Sequence, residues 1–215
     1  MCFRKLSTLV TLSALLLSMP LFADTYTIFN QPTDGVYIPS TTNYGGGDGS
    51  GGTLTGLGTF TFSSGLVELS VPNSWATWNC PPATESCTPN VLYSNGASQI
   101  HLVMLAAHDN TAGFEFEPDA FAVETISVTF NDQNGLPIAT ITRDVNGLGG
   151  ALLFALQDDT PGKWISHIDI VNTTGNDFAI AELRQGNSVP EPGTMVMFGT
   201  GLLGVLGAVR RKMNL

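Results

Sequence analysis

His101, His108 and His167 are the three imidazoles of the chain, and two of them sit beside a carboxylate, in His108-Asp109 and His167-Ile168-Asp169. An imidazole oriented by a carboxylate is the base half of nucleophilic hydrolysis. The nucleophile half is missing: the sequence holds no Gly-x-Ser-x-Gly elbow, and no His-Glu-x-x-His zinc pair either. His101 and His167 lie in alternating, strand-like sequence, where a half-exposed or hydrogen-bonded histidine is ordinary. Glu115, Glu117, Asp119 and Glu124 form a second cluster. Glycoside hydrolysis would need two of these carboxyls ~5–10 Å apart across a cleft, and closeness in sequence does not supply that geometry. Asp109, Asp119, Asp169 and Asp177 carry the oxygen ligands that a structural calcium prefers. Calcium is the one cofactor these residue types suggest, and the sequence does not assign its ligands.

Trp75, Trp78, Tyr93 and Trp164 could stack on a sugar if exposed, although core packing is the usual fate of a strand tryptophan. Trp75 and Trp78, which precede the proline-rich stretch 80–87, are the pair better placed for exposure and hence for carbohydrate stacking. Cys80 and Cys87 bound that stretch, stiffened by Pro81 and Pro82. In an oxidising compartment such an isolated pair predicts a disulfide closing a small loop. The spacing is not that of a zinc knuckle and no histidine lies nearby.

The elements that must position these residues are short. Tyr26–Phe29 and Val36–Ile38 are β-prone, and the glycine run 45–52 reads as a mobile loop. From Leu54 the hydrophobic period is two, through Phe60, Phe62 and Leu66–Val71, then Val91–Tyr93 and Gln99–Ala106. Ile126–Phe130 and Ile138–Thr142 read as a hairpin turning at Asn134-Gly135, a pair that supplies positive φ. Ala151–Leu156, Trp164–Val171 and Phe178–Leu183 follow, the last with Phe178, Ile180 and Glu182 on one face and Ala179, Ala181 and Leu183 on the other. About ten short strands without a convincing internal helix predict an all-β domain, a jelly-roll-like antiparallel β-sandwich.

Both ends differ from this body. Arg4 and Lys5 precede an apolar core, Leu6–Leu17, then Pro20 and the small residue Ala23, the layout of a secretory signal peptide over 1–23. At the other end Pro190-Glu191-Pro192 stays extended, because each proline fixes its own φ and biases the residue before it. The uncharged run Thr194–Val209 follows, and Arg210-Arg211-Lys212 closes the chain. As a helix the run measures roughly 24 Å, short of the ~30 Å hydrocarbon core but extended by snorkelling cations. It reads as a single transmembrane helix held with its basic end in the cytoplasm. The organisation is therefore 1–23 signal peptide, 24–188 β-sandwich ectodomain and 189–215 C-terminal signal. Between the ends, Arg143, Lys163 and Arg184 are the only cations of a chain with formal net charge −10. Such a surface excludes nucleic acid and anionic lipid as natural partners.

Pro190-Glu191-Pro192-Gly193, the glycine-rich apolar run and the basic tail, in that order, resemble the PEP-CTERM sorting signal of Gram-negative bacteria. The resemblance implies export, transient residence in the inner membrane, recognition by an exosortase and cleavage near Pro190-Glu191-Pro192. It also implies a final place at the cell surface or in the extracellular matrix, in the company of exopolysaccharide and biofilm. More loosely, 113–184 resembles the β-sandwich domains found ahead of this tag, through Gly113-Phe114-Glu115-Phe116, the Asn-Gly hairpin and the stretch Asp177–Glu182. The leading expectation is a non-enzymatic module sorted to the envelope or matrix. The rival is a secreted hydrolase acting on matrix polysaccharide.

Overall fold

The computed structural model describes residues 25–104 and 108–187. The signal peptide, Pro190-Glu191-Pro192, the apolar run and the basic tail lie outside them. Twelve strands and one helical turn are described: β1 Tyr26–Phe29, α1 Tyr37–Ser40, β2 Thr41–Asn43, β3 Thr53–Leu57, β4 Phe60–Ser70, β5 Asn90–Tyr93, β6 Gln99–Met104, β7 Thr111–Pro118, β8 Val123–Asp132, β9 Pro137–Asn146, β10 Leu152–Asp158, β11 Ile165–Asn172 and β12 Phe178–Gly186. All named pairings are antiparallel, as the short-strand pattern predicts.

The strands run in the order β1-β10-β7-β12-β5-β4-β6-β11-β8-β9, with β2 added beside β12 and β3 beside β4. β4 is the corner. Its last residues, Val67–Ser70, pair with β5, whereas Phe60–Phe62 pair with β6. One long strand thus passes from one layer to the other, as strands that turn sandwich corners do. Phe114, Phe116, Phe154, Phe178 and Ile180 of the first layer meet Ile126, Val128, Phe130, Ile168 and Ile170 of the second in one buried cluster. Phe116 lies between Phe178 and Phe154, at centroid distances of 4.6 and 5.9 Å. The fold is the predicted all-β antiparallel sandwich.

Bulges in β11 and β12 change which residues face inward. In β11 the register with β8 shifts between Ile165 and His167. Ile165 and Ile168 therefore both enter the core, and His167 and Asp169 turn outward. In β12 the register with β7 shifts between Ala181 and Arg184, and Glu182 takes a φ of +50°. Leu183 consequently joins Phe178 and Ile180 in the central cluster, while Ala179 and Ala181 face a second one. The simple alternation predicted for this strand places Leu183 on the wrong side.

The segment Val36–Ile38 is not a strand. Asp34 accepts the Asn30 and Gln31 N–H groups at 3.0 and 2.9 Å, and the chain then makes one helical turn, α1. That turn buries Tyr37 against Phe29. The glycine run 45–52 has no regular strand or helix, as expected, but it wraps a carboxylate. Glu68 accepts from the Asp48 N–H at 2.7 Å and from the Ser50 hydroxyl at 3.2 Å. A Cβ at Gly47 would stand 2.2 Å from Glu68, so the loop closes this tightly only without a side chain there.

The predicted hairpin is present as β8 and β9, with Gly135 at φ +75° and its N–H on the Asp132 carbonyl at 3.0 Å. The Asp132 carboxylate also accepts the Asn134 and Leu136 N–H groups, at 2.8 and 2.9 Å. A Cβ on Gly135 would meet nothing closer than His167 at 4.0 Å, so the cost of substitution is backbone strain alone. Gly135→Val should lose about 1–3 kcal/mol in urea denaturation, the usual cost of a left-handed non-glycine residue. Gly135→Asn should lose less, because asparagine tolerates that region. Equal losses for the two would mean that strain is not the cause.

Candidate functional site

Residues 71–89 connect β4 to β5 and lie over the outward face of the first layer. Alternation in β7 sends Phe114 and Phe116 into the core and Glu115 and Glu117 to the opposite face. That face is covered, and all eight residues of β7 are buried. Trp78 donates its indole N–H to Glu115 at 2.9 Å, and Trp75 donates to Glu117 at 3.1 Å. The Glu85 N–H also reaches Glu115, at 2.5 Å, and the Thr77 hydroxyl contacts Glu117. Cys80 and Cys87 are bonded to each other, as the spacing predicts. Arg184 of β12 grips Glu85, which lies between the two cysteines, with a guanidinium fork at 2.6 and 2.7 Å.

This layer corrects one expectation. Trp75 and Trp78 are 7% and 9% exposed, so their faces are not open to a sugar. The closed loop folds down onto the sheet, where indole N–H groups and carboxylates satisfy one another. Burial pushes the carboxyl of Glu115 up to about 8 and that of Glu117 up to about 7, against the opposing pull of their hydrogen-bond donors. One proton can be placed by counting donors. The Thr77 hydroxyl lies 2.9 Å from the Gly147 carbonyl, which can only accept, and it also touches Glu117. If it donates to the carbonyl, the proton between Thr77 and Glu117 belongs to Glu117.

The far end of the sandwich, where β7 finishes and β12 begins, is more open. Asp177 accepts from the Tyr93 hydroxyl at 2.6 Å and from the Gly96 N–H at 3.0 Å. Asp119 stands nearby, its pKa raised by burial and then by Asp177. A cleft of about 270 Å³ lies between Asp119, Asn176 and Asp177, and another of about 170 Å³ between Asp119, Trp75 and Phe121. Phe121, Val123 and Leu148 are exposed around this end. Of the four aspartates offered for calcium, Asp119 and Asp177 come together. Asp109 accepts from Gln185 at the other end, and Asp169 lies on the second layer. Glu124 is buried and held by Asn172 and Asn176.

On the outward face of the second layer, His101, His167 and Asp169 converge. His101 Nδ1 is 2.6 Å from one oxygen of Asp169, and His167 Nε2 is 4.0 Å from the other. The pKa of His167 is lowered by burial and then by His101. His167 and Asp169 share a face by their spacing of two. His101 is brought to them by register, as the direct partner of Asp169 across β6 and β11, which no local pattern reveals. His108 is elsewhere, 4.5 Å from the Trp164 ring.

The described chain is thus a disulfide-closed antiparallel β-sandwich with one covered face and one open polar face. Residues 188–212, directly after its last strand, match the PEP-CTERM protein-sorting motif. The chain carries that motif at the place the resemblance assigns it. No curated protein matches the sequence. Among solved structures, the chain is similar to the enzymatically active domain of bacteriophage CBA120 tailspike protein 4, at 18% identity over 60% of this chain and TM-score 0.34; the match spans 19% of the tailspike chain. It is also similar to CBM29_1, a family 29 carbohydrate-binding module from Piromyces equi, at 7% identity over 78% of this chain and 93% of the module, TM-score 0.31. A family 11 carbohydrate-binding module of a Clostridium thermocellum cellulase matches at 9% identity over 80% of this chain and 99% of the module, TM-score 0.28.

Proposed function

We propose that the chain is a non-enzymatic exported module, divided as 1–23 signal peptide, 24–188 sandwich and 189–215 sorting signal, that an exosortase cuts near Pro190-Glu191-Pro192. The mature sandwich then resides at the cell surface or in the extracellular matrix, in association with exopolysaccharide. The observation that carries this reading is the position of the sorting motif. It starts at residue 188, two residues after β12 ends at Gly186, so cutting there leaves every described strand whole.

The geometry of the ends supports the same reading. The Asp159 N–H bonds the Thr25 carbonyl at 2.8 Å, the Asp158 N–H bonds the Asn110 carbonyl at 2.7 Å, and the Asn110 N–H bonds Asn187 at 3.1 Å. Thr25 and Asn187 therefore leave the sandwich from one end. A chain tethered in the inner membrane through its C-terminal run would hold that end toward the bilayer. The clefts at Asp119 and the exposed Phe121 would then face away, toward whatever polymer surrounds the cell. The non-catalytic part of the reading is supported by Glu115 and Glu117, whose carboxyls are sealed beneath Trp78 and Trp75.

The test is fractionation. Wild-type protein should be recovered from surface or medium with an intact mass that lacks Leu215. Glu191→Ala should accumulate uncut in the membrane fraction, because the charge and the two prolines keep this segment out of the hydrocarbon and readable by a protease. Wild-type protein that keeps its C-terminal residue in its final location overturns the proposal.

A further inference from the structure

We propose that His101, His167 and Asp169 form a binding site for a divalent transition-metal ion, with Zn²⁺ as the expected occupant. The donor atoms of the three side chains all lie within 4.8 Å of one another. Tetrahedral zinc, with bonds near 2.0–2.2 Å to nitrogen and carboxylate oxygen, needs donors about 3.3 Å apart. The present spacings of 2.6 and 4.0 Å bracket that value, so small side-chain rotations bring the set into place. Two imidazoles and one carboxylate suit zinc and its first-row neighbours, whereas calcium and magnesium favour all-oxygen sites.

The surroundings already orient two of the three ligands. Ser166, the bulged residue of β11, places its hydroxyl on the Asp132 carbonyl and 2.9 Å from His167 Nδ1. A carbonyl cannot donate, so the serine proton goes to Asp132 and the serine oxygen accepts from His167 Nδ1–H. The proton of a neutral His167 is then on Nδ1, and Nε2, the atom facing Asp169, has its lone pair free. A metal-binding histidine is commonly fixed in this way by a bond from its other nitrogen. Asn131, itself 5% exposed, donates to Asp169 Oδ2 at 2.8 Å and anchors the carboxylate. His101 Nδ1 would exchange its contact with Asp169 for the metal. His101 and Asp169 border an open cleft of about 290 Å³, which leaves room for water to complete the coordination.

Calorimetry with ZnCl₂ on the chelator-stripped secreted protein tests this directly. One Zn²⁺ should bind per chain, while CaCl₂ and MgCl₂ give no heat. His101→Gln and His167→Gln should each abolish that heat, and His108→Gln should leave it unchanged. Ser166→Ala removes no ligand and should weaken binding about 10–100-fold, the usual effect of losing a bond to a metal-ligating histidine. Co²⁺ should give tetrahedral d–d absorption that His101→Gln removes. Circular dichroism of each variant separates loss of the site from loss of the fold, and His101, whose side chain is the more exposed of the two, answers alone if the His167 variant unfolds. Absence of heat in the wild type, or heat that survives both His101→Gln and His167→Gln, overturns the proposal.

Discussion

Arg184→Met should destabilise the sandwich by about 3–5 kcal/mol, the cost of removing one partner from a buried ion pair. Arg184 is 9% exposed, and its fork to Glu85 joins the disulfide-closed loop to β12. It also bonds the Thr41 carbonyl at 3.2 Å, so it ties β2 into the same place. Glu182 and Glu115 stand close by, and burial raises the pKa of both carboxyls. Methionine keeps most of the packed length but leaves these acids without their cation. Urea denaturation of the secreted protein should show a lower midpoint at unchanged slope. Adding Glu85→Gln to Arg184→Met should recover part of the loss, because the orphaned charge is then gone. A loss below about 1 kcal/mol would mean that the pair behaves like an exposed one.

Glu115 and Glu117 should make the domain more stable in weak acid than in weak base. Their folded pKa values, about 8 and about 7, lie above the ordinary glutamate value of 4.5. Between these limits the folded chain binds more protons than the unfolded one, so stability falls as pH rises. The contribution is complete below about 4.5 and is lost by about 8. Glu117→Gln isolates one part of it. Its carbonyl can accept from Trp75 and its amide can donate to Thr77, which reproduces the protonated side chain. The variant should melt close to wild type at pH 5 and above it at pH 8.5, by on the order of 2–4 °C for each kcal/mol recovered. A melting difference that does not change with pH would refute the protonated Glu117 network.

The C-terminal signal was legible in full from the sequence, because a sorting tag is read as a linear chain and its order and spacing are its content. The all-β class, the Gly135 turn and the Cys80–Cys87 bond were legible for a related reason: each depends on the chemistry of residues close in sequence. The strand pattern read from sequence omits β7, although Phe114 and Phe116 alternate there with Glu115 and Glu117 and so mark its two faces. It did not say that the face bearing Glu115 and Glu117 would be roofed over. Acids at every second position look like a solvated surface until Trp75 and Trp78 come down on them from a connection more than 30 residues away. Parity failed where one inserted residue reversed it, as at Ser166 and at Glu182, since a period of two has no memory across a bulge. The convergence of His101 with His167 and Asp169 was decided by the tertiary structure alone. Their meeting depends on the register of β6 against β11, which is set by the fit of the whole core rather than by either strand alone.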